Sequence, residues 1–297
     1  MIPTSFEYAA PASLNQALAL LQKYGEDAKI LTGGHSLIPL MKLRLARPSM
    51  VIDLRKIKRL SGIHRKQFEP EKPVGLEIGA ATTHAEIQRS EVVHKGWPLL
   101  SETAGEIGDM QVRNAGTIGG SVVHADPAAD WPAALLACGA TLVLAGLQGE
   151  RTVPAEDFFV GLMESAIRPG EILVAIRFPA RAKGSSGAYR KLAQSASGFA
   201  LTGVAVELSV GDGQIATARV GITGVAEKAY RPRRTEEALV GCTLAEDAIR
   251  NACAFAAEGI EPLADIHASA RYRAHLARVL TRRATLAAVE RARGSKR

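Results

Sequence analysis

Apolar and polar positions along the chain alternate between a helical and a strand period. Leu14, Ala17, Leu18 and Leu21 recur at helical spacing behind Ser13, a preferred N-cap residue, and Gly25 ends the run. This predicts a helix that feeds a short strand over 29–32. Residues 50–54 and 76–80 also read as strands, with the polar stretch HRKQFEPEKP as a loop between them. Thr83 with Glu86 forms a capping box for a short helix, and 98–107, bearing Leu99, Leu100 and Ala104, predicts another. Trp131, Ala134, Leu135 and Cys138 fall on one helical face that Gly139 stops; Asp126 followed by Pro127 predicts where that helix starts. Segments 140–147 and 171–178 are apolar enough for strands.

In the second half, 188–192, 203–210 and 214–222 read as strands, the last two joined by the hairpin dipeptide Asp212-Gly213. Helices are expected over 244–257 and about 272–292, the latter with Leu276, Val279, Leu280, Leu286 and Ala287 on one side. The stretch PARAKGSSG, 179–187, has the composition of a linker and sets the expected domains at 1–178 and 188–297. Runs of this kind describe an α+β chain.

Two segments carry more local instruction than a core needs. One is Thr32-Gly33-Gly34-His35-Ser36, directly after a strand; the other is Thr117-Ile118-Gly119-Gly120-Ser121. Adjacent glycines can adopt φ > 0 and expose successive N–H groups with no Cβ in the way, which suits an anion. A single Gly-Gly turn is more often a tight connection than a site, but two such turns could hold a diphosphate from both sides. Capping alone explains Asp126, whereas Asp130 lies in the first turn of a helix already capped and is free to serve a ligand hydroxyl. The match of 211–216 to G-x-G-x-x-A is a decoy, because a strand and not a helix follows it.

Composition narrows the classes. At 297 residues, 47% hydrophobic and 23% charged, the chain is long enough for two domains, and no apolar run reaches the length of a membrane span. The N-terminus lacks the basic and apolar blocks of a secretory signal, so a cytoplasmic protein is expected. The net charge of +7 is concentrated in residues 271–297, which hold nine Lys or Arg and one Glu. Those arginines read most simply as a solvated helix face, and with only Tyr272 among them they lack the interleaved aromatics of a nucleic-acid binder. Cys138, Cys242 and Cys253 are too few and too scattered for an iron–sulfur cluster, and the histidines have no metal spacing. No metal site and no catalytic acid, base or nucleophile is expected, so electrons for any redox cofactor must come from another subunit.

MIPTSFEYAAPASLNQALALL, LTGGHSLIPLMKLRLARPSMVIDLR and RNAGTIGGSVVHADPAADWPAALLACGA, in this order, resemble the FAD-binding medium subunit of the molybdenum hydroxylases. That group contains aerobic carbon monoxide dehydrogenase, N-heterocycle hydroxylases and the xanthine dehydrogenase family. The resemblance covers nearly the whole chain. It implies an FAD-binding domain of the p-cresol methylhydroxylase type, made of two α+β subdomains, then a domain with a three-stranded antiparallel sheet and helices. It also implies partners: a large molybdopterin subunit and a small subunit with two [2Fe-2S] clusters, in a dimer of heterotrimers.

Carried over by residue, the resemblance places Thr32, Gly33, Gly34, His35 and Ser36 and Thr117, Ile118, Gly119, Gly120 and Ser121 on the FAD diphosphate. Asp130 matches the acid that bonds the sugar-like part of the flavin. Ile107, Leu173 and Lys191 fall on positions lining the cofactor, with Phe199 or its neighbours over the isoalloxazine. Thr32 and His35 stand where many relatives have Ala or Gln, and His35 is common in the carbon monoxide group. The implied role is electron transfer from the partner's clusters through FAD to an external acceptor. Carbon monoxide dehydrogenase is the leading substrate class, an N-heterocycle or aldehyde hydroxylase the alternative. A self-contained flavin oxidase is the rival of another kind.

Overall fold

The computed structural model describes residues 2–182 and 184–294. Strands β1 (Glu7–Ala9), β2 (Ala28–Leu31) and β3 (Met50–Asp53) form a parallel sheet in the order β1-β3-β2. The helix Leu14–Tyr24 is the crossover that carries the chain from β1 to β2, which lie parallel on either side of β3. The Ser13 hydroxyl accepts the Gln16 N–H at its start, and Gly25 at φ 52° stops it.

The second sheet is antiparallel and holds β4 (Ile63–Lys66), β5 (Gly75–Gly79), β6 (Thr141–Gly146) and β7 (Gly149–Pro154). After the short hairpin of β8 (Phe159–Gly161) and β9 (Glu164–Ser165), β10 (Ile172–Phe178) returns to its centre, giving the order β4-β5-β10-β6-β7. The third sheet is a meander of β11 (Ser185–Ala193), β12 (Ala200–Gly211) and β13 (Gln214–Thr223). Asp212 and Gly213, at φ 48° and 74°, close the β12–β13 turn as their dipeptide predicts. The helix Ala270–Gly294 lies on β11 and β12, burying Leu276, Ala277, Leu280, Ala284, Ala288 and Val289. This is the two-subdomain unit followed by a three-stranded domain that the resemblance implies.

Between the FAD-type half and the third sheet sits the helix Asp130–Cys138, buried from Asp130 through Ala137. It packs on β12 and β13 so closely that a Cβ on Gly221 would collide with the Ala133 carbonyl. Its start is a correction to the sequence reading: the helix begins at Asp130 and not after Asp126. Asp126 instead makes a local turn, its Oδ1 accepting the Ala128 N–H at 2.8 Å. The carbonyls of 127–129 are already taken by the other half: Pro127 accepts from Gly224 and Thr223, Ala128 from Ala200, and Ala129 from Thr223. Tertiary bonds outcompete the Asp-Pro start.

Four further differences have local causes. His64, Arg65 and Lys66 belong to edge strand β4 and not to a loop, their exposed polar side chains hiding the strand from an apolar pattern. Strands β7 and β9 are likewise largely polar, and β8 is only three residues long, so no apolar period marks them. Ser185–Gly187 pair with Ser209–Glu207 inside β11, which shortens the expected linker; Lys183 within it lies outside the described residues, as do 295–297 of the basic tail. Arg273 is no part of the solvated face: it is buried, donating to the Leu201 and Gly224 carbonyls and paired with Asp265.

Candidate functional site

A cavity of about 740 Å³ runs between the first sheet, the second sheet and the edge of the third, within the size range of cofactor sites. Both Gly-Gly segments line it. Thr32 Oγ1 and Thr117 Oγ1 are 2.9 Å apart, joining segments 85 positions distant in sequence. At Gly33 a Cβ would strike the Ala115 carbonyl and lie 2.7 Å from Gly116 Cα, so only glycine lets the two loops meet.

The two turns are not equivalent. Gly34 adopts φ 75°, as a left-handed glycine turn requires. Among the described residues no acceptor is found for the N–H groups of Gly33, Gly34, His35 and Ser36, which leaves them for a ligand. Gly119 and Gly120, by contrast, have ordinary helical φ inside the helix Ile118–His124, correcting the expectation of a positive-φ nest there. The Gly119 N–H donates to the Ala80 carbonyl at 2.8 Å, and the Gly120 N–H to Thr117 Oγ1 at 3.2 Å. These glycines provide clearance: a Cβ on Gly119 would lie 2.6 Å from the Ala80 carbonyl oxygen, and one on Gly120 2.9 Å from Thr117 Oγ1.

Of the sequence-selected residues, Thr32, Gly33, Gly34, His35, Ser36, Ile107, Thr117, Gly119, Gly120, Ser121, Asp130 and Leu173 line the cavity. Ile118 does not; its side chain is fully buried in the core beside Val122, and its N–H is bonded to the Thr82 carbonyl. Lys191 stands behind the wall. Its ammonium, 2% exposed, donates to Asp130 at 3.0 Å and to the Glu106 carbonyl at 2.6 Å. Phe199, with Ser197 and Gly198, borders the cavity and is 41% exposed.

Asp130 is the buried charge of the site. Burial pushes its carboxyl up to about 6, against the pull of Lys191 and of the Tyr189 hydroxyl, which donates to Oδ1 at 2.6 Å. His84, whose sequence neighbours offer no metal spacing and which no cofactor motif marks, lines the cavity while 3% exposed. Trp131 donates its indole N–H to His84 Nδ1 at 3.0 Å, so the ring carries its proton on Nε2. Burial, with His35 and Arg113 nearby, depresses its pKa to about 4 and keeps the imidazole neutral. The Thr83 capping box holds the helix that begins at His84, and that helix was the one available signal.

The donor set fits FAD: free backbone N–H groups where two loops touch, a neighbouring carboxylate able to accept from hydroxyls, and the apolar Ile107 and Leu173. No group of three or more His, Cys, Asp or Glu among the described residues is placed to hold a metal ion, and no described helix is long and apolar enough to cross a membrane.

Comparison with known proteins agrees with this geometry. The family model for the FAD binding domain in molybdopterin dehydrogenase matches residues 4–181, and that for the CO dehydrogenase flavoprotein C-terminal domain matches 187–288. The carbon monoxide dehydrogenase medium chain of Afipia carboxidovorans is 41% identical over 99% of this chain and 100% of its own. The 6-hydroxypseudooxynicotine dehydrogenase complex subunit alpha of Paenarthrobacter nicotinovorans is 36% identical over 100% of this chain and 98% of its own. A solved carbon monoxide dehydrogenase from Hydrogenophaga pseudoflava superposes with a TM-score of 0.93 at 41% identity, covering 98% of this chain and 99% of that one.

Proposed function

We infer that this chain, which belongs to the FAD-binding medium subunits of the molybdenum hydroxylases, carries electrons from a partner subunit's [2Fe-2S] clusters to an external acceptor. FAD, when bound, supplies the redox chemistry that joins one-electron donors to a two-electron acceptor. The chain's own residues bind and orient it. In this reading the N–H groups of Gly33 to Ser36 hold the diphosphate, with Thr117, Gly120 and Ser121 facing them. Asp130 accepts from a hydroxyl of the sugar-like portion, and Ile107, Leu173 and Phe199 keep water from the flavin ring. The domains this assigns are 1–178 for the cofactor and 188–297 for the flank that closes it. One observation carries the reading: a glycine turn and a glycine-bearing helix start, far apart in sequence, touch across one cavity, with backbone donors on the turn that find no acceptor among the described residues.

The same reading extends to the assembly and its place in the cell. The chain takes its place beside a large molybdopterin subunit and a small iron–sulfur subunit, as a dimer of heterotrimers in the cytoplasm. Carbon monoxide is the substrate class this reading favours, because the medium chain of a carbon monoxide dehydrogenase matches at 41% and the nicotine-derived relative at 36%. An N-heterocycle or aldehyde hydroxylase would use the same flavin site, since the substrate is met on another subunit.

Titration of the FAD-free chain with FAD tests the site. One FAD per chain is expected, with weaker binding in Gly33→Ala. A wild-type chain that stays colourless at saturating FAD would overturn the reading.

A further inference from the structure

We propose that Tyr189, on the C-terminal sheet, is a positioning residue that fixes the Asp130 carboxylate as an acceptor for a cofactor hydroxyl, so that FAD affinity is set across the domain interface. The proposal rests on the cavity being the FAD site.

Tyr189 is 1% exposed, and its hydroxyl proton goes to Asp130 Oδ1 at 2.6 Å. Strand alternation puts Tyr189 and Lys191 on one face of β11, so both reach the same carboxylate. The Tyr189 backbone is itself pinned, its N–H donating to Glu102 Oε2 at 3.0 Å. Gly203, which pairs with Lys191 across β11 and β12, makes room: a Cβ there would collide with the Tyr189 hydroxyl. A carboxylate oxygen has more than one acceptor site, so Asp130 can serve these two donors and still accept from the cavity it lines.

The charged and titratable groups facing Asp130 are Tyr189 and Lys191 on β11 and Glu106 just after the helix Pro98–Gly105; Thr202 on β12 and Thr223 on β13 are buried but uncharged. Burial and Glu106 favour the protonated acid, while Lys191 and Tyr189 favour the carboxylate. Removing the hydroxyl therefore raises the pH at which Asp130 ionises. A protonated Asp130 is a poorer acceptor, so cofactor affinity should fall from a higher pH.

The test is FAD affinity of the full chain against pH, read by flavin fluorescence. In the wild type, affinity should fall through a midpoint near 6, the value to which burial brings Asp130. In Tyr189→Phe the midpoint should move up by about one pH unit, weakening binding about fivefold near pH 6, about tenfold near pH 5 and only slightly near pH 8. Asp130→Asn should be weaker and flat with pH. If Tyr189→Phe does not fold, replacing Tyr189 by 3,5-difluorotyrosine, a stronger donor, should move the midpoint down. An unmoved midpoint, or an equal loss at every pH, would overturn the positioning role and leave the FAD site standing. No FAD binding by the wild type would overturn both.

Discussion

Gly33 acts through what it lacks. A single methyl group there would push the first loop off the Ala115–Gly116 backbone, and the Thr32–Thr117 contact would open. Gly33→Ala is therefore expected to fold, because the contact is at a cavity edge, yet to bind FAD about 5- to 150-fold more weakly, since overpacking of this kind costs about 1–3 kcal/mol. Equilibrium dialysis against FAD checks it, and wild-type affinity would dismiss the loop-closure argument. His84 acts through protonation. Its folded pKa, about 4, lies below the ordinary value of 6.5, so between those values the unfolded chain binds more protons. Stability from His84 is thus present above about 6.5 and lost as pH falls toward 4. Asp130, raised to about 6, has the opposite slope, fully favourable at low pH and lost as pH rises through 6. The two partly cancel in the wild type. His84→Gln, which keeps an acceptor for Trp131, should remove one slope and gain on the wild type by up to about 3 kcal/mol between pH 7 and pH 4. Melting curves of equal separation at every pH would contradict this. Among the residues that line the cavity, Gly33, Gly34, Thr117 and Asp130 were legible because turn and cap chemistry is local, although the turn expected at Gly119 and Gly120 is helix. His84 and Tyr189 were not, since their partners Trp131 and Asp130 lie 47 and 59 positions away.

The helix Asp130–Cys138 is the element on which both halves depend. It is apolar all round, as a helix inside a protein is, and it carries Asp130 into the cavity wall. Gly221→Ala would force β13 away from the Ala133 carbonyl. The expected result is a loss of about 1–3 kcal/mol in stability, together with weaker FAD binding, because Asp130 moves with its helix. Denaturation and FAD titration on the same sample check the pair; destabilisation with unchanged affinity would show that Asp130 is held independently of the helix. Most elements of this fold were legible. Ser13, the Thr83–Glu86 box and Gly139 are used as their sequence signals predict, because caps depend on residues within a few positions. The Asp126–Pro127 signal failed for the converse reason: carbonyls that could have opened a helix are claimed by β12, β13 and Gly224.

At the scale of the molecule, the third sheet is not an appendage. Tyr189, Ala205 and Ala229 sit in the same hydrophobic cluster as Trp131 and Leu135, and Glu102 of the first half binds Arg190 and Arg291 of the second. A single cooperative thermal transition is expected for the full chain, and a fragment ending at 181 should lose FAD because it lacks Tyr189, Lys191 and Phe199. Calorimetry and flavin absorbance read both; two separated transitions, or a fragment that keeps FAD, would contradict the shared core. In the proposed role the chain is a station between partner subunits. The most direct test is anaerobic stopped flow with carbon monoxide, comparing the FAD-loaded chain alone with the same chain assembled with its molybdenum and iron–sulfur subunits. Flavin bleaching is expected in the complex and none in the isolated chain. Bleaching of the isolated chain by substrate would contradict the electron-transfer role and make the protein a self-contained oxidase.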